Sequence, residues 1–377
     1  MNKSMRSKRK KKPAASKSGG ERSERKPSKQ TAKKPMGTGS AAQSERAPQS
    51  KPKSNGVTCR EQQEATNKDK KTKGSKEFWS GEETAKKMVA SGFFNNNTIN
   101  GTFKDLPTTK PSLDSCPCFK NNLHKVRAPD CPIPDEKLIK LTHAPENFIC
   151  AAKVTVPEFN RTMILTQVPD VSNTQNIEDF WRMIFQENVV SIVIAIMPLE
   201  SSVTLQQIFP LLNGTYSNHG KMFLNNKKVE STVAMTSYQL EILPDGCSNS
   251  LFTTVFHLHN WKQKKGLDRV EDLVTTVEKV LKTNENTVFM SMNGTGRAGT
   301  MLALFTAMLQ VQKGKEVNPK ETMERLRAER CGLVDTAEQY GTVHKAMAHW
   351  FKNKSTKSIR NSIKVGMFCE TKEDIPV

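Results

Sequence analysis

The 377-residue sequence has no apolar run long enough for a membrane helix and no histidine or cysteine cluster. Its most apolar stretch, Val189 to Met197, is far shorter than the roughly 20 residues that span a bilayer. Its seven histidines show none of the spacings typical of metal ligands. We therefore expect no transmembrane segment, no metal and no organic cofactor.

Cysteine pairing is also not indicated. Of eight cysteines only Cys116 and Cys118 lie close together, and no apolar N-terminal stretch resembles a secretory signal. Free thiols in a reducing, cytoplasmic compartment are expected.

Aromatic residues are absent before Phe78, whereas basic residues are abundant there. The first 80 residues hold 23 Lys and Arg against 7 Asp and Glu, and the remaining residues hold 35 against 31. A segment with so little to bury cannot offset the entropy of ordering, so we predict a disordered basic tail over residues 1–77. Its Lys/Arg run at residues 6–12 suits nuclear import, nucleic acid, an acidic protein or an anionic membrane surface. A tail that is merely solvated remains open.

From residue 78 to 352 the patterning predicts one α/β domain, followed by a loose C-terminal tail over residues 353–377. Ser80 and Glu83 suggest a capping box for a helix to about Ser91, and residues 93–120 look irregular. Apolar runs predict strands near 148–156, 162–165, 189–196, 237–243, 251–258 and 288–290. Helical periodicity predicts helices near 176–187, 268–282, 298–312, 318–328 and 336–352. Residues 189–196 are apolar on both faces, which is typical of a central strand.

The segment Val288–Thr300 has the pattern of an anion-binding loop. A strand is followed by Gly294 and Gly296, and then by Arg297 at the start of a helix. Backbone N–H groups and a helix N-terminus then point at one anion, and a guanidinium can bind two of its oxygens. The candidate phosphate-binding residues share this one loop: Ser291, Met292, Asn293, Gly294, Thr295, Gly296 and Arg297. Simple turn formation by the glycines is the alternative.

This loop resembles the Cys-x5-Arg signature of protein tyrosine phosphatases, with Ser291 in place of cysteine. Three further segments are similar to that family: Ile164–Gln167 with Glu178–Met183, the region of Trp261, and Leu333–Tyr340. The resemblance covers about residues 78–352. It implies a highly twisted mixed β-sheet flanked by helices on both sides, with the loop at the carboxyl end of the strand that closes at Met290.

The resemblance also implies a damaged catalytic apparatus. Ser291 is a poor nucleophile without a base, and Met290 stands where the family has histidine. The general acid of the family aligns with Gln263, or with Lys264 if one residue is inserted, and neither is a carboxylic acid. Asp268 is the nearest acid downstream, and capping of the next helix is its more ordinary role.

Substrate recognition is altered in the same way. Ala128 aligns with the tyrosine that stacks on phosphotyrosine in the family, and Asp335 with the first glutamine of the glutamine loop. Gln339 matches the second glutamine. A carboxylate at position 335 would oppose a bound phosphate. Arg297 either still binds phosphate or is kept for folding, paired with a carboxylate.

We therefore predict a catalytically inactive tyrosine phosphatase-like protein that binds a phosphorylated protein or a protein kinase as a signalling scaffold or regulator. One alternative is an atypical phosphatase in which His257 or His259 activates Ser291. Another is a platform whose basic tail does the binding, in which case association would collapse between about 50 and 200 mM salt.

Overall fold

A nine-stranded mixed sheet runs through residues 79–367, the part of the chain that this computed structural model describes. The predicted tail over residues 1–77, with its Lys/Arg run, lies outside the described residues. The strands are β1 Leu138–Lys140, β2 Phe148–Val154, β3 Met163–Gln167, β4 Ser191–Ala195, β5 Tyr216–His219, β6 Met222–Ser231, β7 Met235–Pro244, β8 Leu251–Leu258 and β9 Thr287–Ser291.

Nine α-helices occur in the same residues. They are α1 Glu82–Ala90, α2 Asn96–Lys104, α3 Pro117–Asn121, α4 Thr174–Gln186, α5 Glu271–Thr283, α6 Gly296–Gln312, α7 Pro319–Glu329, α8 Ala337–Lys354 and α9 Lys357–Met367. None of these described helices combines the length and hydropathy needed to cross a lipid bilayer.

The strand order is β1-β2-β3-β9-β4-β8-β7-β6-β5. The four central strands β3, β9, β4 and β8 are parallel, and the outer strands pair antiparallel. Every residue of β4 is buried because helices cover both faces of the sheet, which confirms the central strand predicted at residues 189–196.

Alternate residues of the central strands point into two separate cores. Phe289 of β9 and Val193 of β4 pack with residues of α5, α6 and α8. Val288 and Ile192, one residue earlier in each strand, pack on the opposite face with residues of α4. The predicted α/β fold, a twisted mixed sheet with helices on both faces, is confirmed.

The start of the domain differs from the predicted capping box. The N-cap of α1 is Gly81 and has no side-chain cap, while Glu83 bonds to Lys86. A Cβ on Gly81 would lie 2.5 Å from the Trp79 ring, so a residue larger than glycine does not fit at this N-cap. The stretch read as irregular contains α2, whose first turn is capped by the Asn95 side chain.

The described part of the expected loose tail over residues 353–377 is largely helical, because α8 continues to Lys354 and α9 follows at Lys357–Met367. Residues 368–377 lie outside the described residues. The buried Glu82 carboxylate accepts hydrogen bonds from the Thr356 hydroxyl at 2.7 Å and from its N–H at 3.4 Å. Ile359 and Ile363 are buried in the main core. Two apolar residues at helical spacing therefore attach this segment to the domain.

Candidate functional site

The loop between β9 and α6 forms a compact cradle. Gly294 has a φ of +71°, and a Cβ there would lie 2.7 Å from the backbone of Thr166 and Gln167, so only glycine fits without strain. Among residues 79–367 the N–H groups of Asn293 and Thr295 donate to no other group. The first N–H groups of α6 also lack partners within that helix. These donors give the cradle its capacity for an anion.

The guanidinium of the cradle is already engaged. Arg297 is 2% exposed and makes a bidentate ion pair with Glu200, with one contact of 2.8 Å and a second shorter one. It also donates to the Trp261 carbonyl oxygen at 2.6 Å. Of the two roles left open for Arg297, pairing with a carboxylate is the one observed. An anion in the cradle would share the guanidinium with Glu200.

The Ser291 side chain lies at the floor of the cradle, buried at 2% exposure. Its Oγ accepts the N–H of Ala298 at 3.3 Å, and no described side chain accepts the hydroxyl proton. Met290, the preceding residue, points into the apolar core. A serine in these surroundings has no group that could activate it.

His257 and His259, weighed as a base for Ser291, lie on another strand of the sheet or just beyond it. His257 belongs to β8, and β4 separates β8 from β9. Its Nε2 lies 2.9 Å from the Ile196 carbonyl oxygen, and burial lowers its pKa to about 4. Strands two apart are roughly 10 Å from each other, so this imidazole is not within hydrogen-bonding reach of Ser291.

The loop after Trp261 carries no acid toward the cradle. The buried Trp261 donates its indole N–H to the Lys265 carbonyl oxygen at 2.8 Å, and the loop is held to α8 because Gly266 donates to Glu338. Gln263 and Lys264 are both exposed. No described group forms a hydrogen bond to the Gln263 side chain.

Asp268, the alternative acid, lines a different cavity of about 540 Å³ between α2 and α8. The expected capping role is wrong, since α5 begins at Glu271 with Val270 as its N-cap and has no side-chain cap. Helix α5 therefore begins three residues later than the predicted start near residue 268.

Asp335 and Gln339 both reach the mouth of the cradle. A Cβ built on Gly296 would lie 2.4 Å from the Asp335 carboxylate and 2.9 Å from the Gln339 amide oxygen. That amide oxygen accepts the Asp335 N–H at 2.9 Å. Partial desolvation raises the pKa of Asp335, although Lys264 opposes the shift. The carboxylate therefore stands next to the backbone donors that an anion would use.

Ala128, at the position that the family resemblance gives to the stacking tyrosine, offers no aromatic surface. It is buried and clusters with Cys131 and Cys331. The preceding Arg127 fixes this loop by donating to the Val168 and Pro169 carbonyl oxygens. At this position a phosphotyrosine ring could contact only the methyl group of Ala128.

Two residues of the site were missed in the sequence. Glu200 lies in a turn where Leu199, Ser201 and Ser202 all have positive φ, a strained backbone that no sequence pattern indicated. Arg330 is fully buried and its Nε lies 3.5 Å from the Gly294 carbonyl oxygen. For Arg330, its position three residues before Leu333, where the glutamine-loop segment begins, was the sequence feature that could have indicated a role in the site.

Comparison with known proteins agrees with this geometry. Residues 122–349 match the family described as "Protein-tyrosine phosphatase". A Caenorhabditis elegans protein named "Putative tyrosine-protein phosphatase C15H7.3" is 72% identical over 278 residues, which cover 74% of this chain and 69% of that protein. Human "Tyrosine-protein phosphatase non-receptor type 2" is 26% identical over 231 residues, 59% of this chain and 54% of that protein. The chain thus spans little more than half of the human relative. By its matched residues and its sheet, this chain belongs to the protein tyrosine phosphatase family.

Proposed function

We propose that this phosphatase-family chain is catalytically inactive and binds a phosphorylated protein segment, which it shields or positions in signalling. The observation that carries the proposal is the environment of Ser291. Its hydroxyl accepts one backbone N–H and has no proton acceptor among the described side chains. With a hydroxyl pKa far above neutral and no base, attack on phosphorus is negligible.

The leaving group would also receive no proton. Gln263 and Lys264 occupy the loop positions of the family acid, and Asp268 lines another cavity. Losing a general acid forfeits about 10² to 10⁴ in rate. Because nucleophile and acid fail independently, one substitution does not restore turnover.

Binding is supported by the free N–H groups of Asn293 and Thr295 and by the first turn of α6. It is opposed by the Asp335 carboxylate and by the engagement of Arg297 with Glu200. The balance favours moderate affinity for a phosphorylated residue. A partner surface outside the cradle would then add to the binding energy, as expected of a scaffold or of a kinase-binding regulator.

Hydrolysis of a generic aryl phosphate tests the inactivity. We expect no turnover above the blank from the wild type, from Ser291→Ala or from Ser291→Cys. Turnover should require at least Ser291→Cys together with Gln263→Asp. Turnover by the wild type that Ser291→Ala abolishes would refute inactivity.

Calorimetric titration with a phosphotyrosine peptide and its unphosphorylated twin tests the binding. Arg297→Ala should weaken binding of the phosphopeptide by about 1.5–3 kcal/mol, the contribution of a charged hydrogen bond. Glu200→Gln is the matched control, because it releases the guanidinium and should preserve or strengthen binding. Equal affinity for both peptides, or an affinity that Arg297→Ala does not change, contradicts cradle binding.

A further inference from the structure

Two buried cysteines meet beside the cradle although they are 200 residues apart in the sequence. Cys131 ends the loop that carries Ala128, and Cys331 lies between α7 and α8. With Ala128 they form one small cluster, separate from the main cores. Both cysteines are free thiols in the structure.

The backbone beside Cys331 confirms how close the two segments come. Gly332 has a φ of +73°, and a Cβ there would lie 2.5 Å from the Cys131 sulfur and 3.6 Å from the Thr295 methyl group. The Cys131 sulfur is therefore packed directly against the residue that follows Cys331, and both are next to the cradle. Glycine is needed at position 332 for this approach.

The two thiols differ in how readily they ionise. The adjacent Cys131 thiol lowers the pKa of Cys331 to about 7, burial opposes this shift, and the positive charges of Arg330 and Lys110 add to it. The proximity of Cys331, burial and the negative charge of Asp130 raise the pKa of Cys131, whose thiol points to the Asp130 carboxylate at 3.8 Å. In its neutral form Cys331 donates to the Pro132 carbonyl oxygen at 3.3 Å, which partly opposes ionisation. Cys331 is thus the thiolate-forming partner and Cys131 the thiol beside it.

A small oxidant can reach this pair. Cys331 lines a surface groove of about 340 Å³ together with Pro107, Lys110, Pro134 and Arg327. Glu324 and Glu329 line the same groove, but hydrogen peroxide is small and uncharged and needs no cationic wall to enter. Lys110 favours the ionised form of Cys331. The groove lies outside the cradle, so access does not depend on what the cradle binds.

We propose that Cys131 and Cys331 form a reversible disulfide on exposure to hydrogen peroxide, which cross-links the two segments that meet beside the cradle. The Cys331 thiolate attacks one peroxide oxygen, the O–O bond breaks, and Cys331 sulfenic acid and hydroxide form. The Cys131 sulfur then attacks the sulfenic sulfur, the S–O bond breaks, and water leaves with the Cys131 proton. The two sulfurs are oxidised by two electrons in total, and the peroxide is reduced.

The disulfide joins the loop that carries Ala128 to the segment that leads to Asp335. Since Gly332 lies next to the Thr295 methyl group, the cross-link restrains the cradle from the side. Closing a loop of about 200 residues also restrains the unfolded chain strongly. Oxidation should therefore stiffen the site and raise the melting temperature by several degrees.

Peptide mapping after peroxide treatment tests the proposal on the full-length protein. The protein is treated with a small excess of hydrogen peroxide, alkylated in denaturant and digested without reductant. We expect one peptide pair joined through Cys131 and Cys331, lighter by two hydrogen atoms than the two free peptides, and separated again by dithiothreitol. Cys59 and Cys369, which lie outside the described residues, are replaced by serine throughout to prevent exchange.

Three variants complete the experiment. Cys131→Ser and Cys331→Ser should each abolish the joined pair and the rise in melting temperature, whereas the exposed Cys247→Ser should preserve both. If either serine variant fails to fold, the mapping of the parent protein still decides. Oxidation of Cys331 to sulfinic acid with no joined peptide, or a pair that omits Cys131, overturns the proposal.

Discussion

At the scale of single residues, Asp335 is the side chain expected to oppose ligand binding most directly. Its carboxylate stands at the mouth of the cradle, close to Gly296, and a bound anion would be repelled by it. At an effective dielectric constant of about 20, two like charges a few ångströms apart repel by a few kcal/mol, and solvent reduces this at the surface. The charge of Asp335 therefore lowers the affinity of the cradle for an anion.

We predict that Asp335→Gln, which introduces the residue that the family resemblance implies, strengthens sulfate or phosphotyrosine peptide binding about tenfold, or about 1.4 kcal/mol. Asp335→Asn should act similarly, since both remove the charge. Titration calorimetry measures the effect. Glu338→Gln is the matched control, because it removes a nearby carboxylate in the first turn of α8 that binds Gly266 and Lys265 and does not face the cradle donors.

The pH dependence of sulfate binding tests whether the Asp335 carboxylate repels the bound anion. Because desolvation raises the pKa of Asp335, this carboxyl gains its proton at a higher pH than usual, and wild-type binding should tighten as the pH falls from 7 toward 5. The positive charges of Lys264, Lys110 and Arg327 oppose the rise in the pKa of Asp335, Asp130 adds to it, and Lys110 lowers the pKa of Asp130. Asp335→Asn should flatten the profile, and an identical slope in both proteins would count against the role given to Asp335.

At the scale of elements, burial separates what the sequence predicted from what it did not. The strand and helix around the cradle, β9 and α6, were predicted because they are almost wholly buried and mostly apolar. Strand β6 was missed because its second half is mostly exposed and carries Lys227 and Lys228. Helix α2 was missed because an asparagine run was read as a loop, whereas Asn95 caps the helix.

The candidate site was also predicted in part and missed in part. The family order brought Arg297, Trp261 and Asp335 together as expected. Glu200 could not be foreseen, since its position depends on three left-handed residues in a short turn. A partner that comes from a strained turn leaves no periodic pattern in the sequence.

The C-terminal helix α9 gives a prediction at this scale. Ile363 is 0% exposed in the main core, so Ile363→Ala should lower the free energy of unfolding by about 2–4 kcal/mol, the usual cost of removing a buried isoleucine side chain. Urea denaturation measures the loss. Asn361→Ala, at an exposed position of the same helix, should stay within about 0.5 kcal/mol of the wild type. Equal, small effects of both changes would mean that α9 is not attached in solution.

At the scale of the whole molecule, two buried histidines tie the stability of the domain to pH. The ring Nδ1 of His344 in α8 lies 2.8 Å from the Phe93 carbonyl oxygen, and burial lowers its pKa to about 4. Burial also lowers the pKa of His257 in β8 to about 4. They belong to different elements of the domain, so protonation of each would disturb a separate region.

We predict that the domain loses stability as the pH falls from about 6.5 to 4. Each imidazole is neutral in the folded protein but gains a proton in the unfolded chain below about 6.5, so each contributes about 1.4 kcal/mol of loss per pH unit, or about 3 kcal/mol by pH 4. Asp179 and Asp335, whose pKa values are raised, shift stability the other way over part of this range, so the comparison must be made between variants.

His257→Gln retains a donor for the Ile196 carbonyl oxygen but does not titrate, so urea denaturation at several pH values should give a shallower acid slope than the wild type. His124→Gln, at an exposed position, should leave the slope unchanged. If the two variants have the same slope, His257 is solvated in the native state. Burial of His257 would then fail as a reason for the acid sensitivity, and His344 would have to account for it.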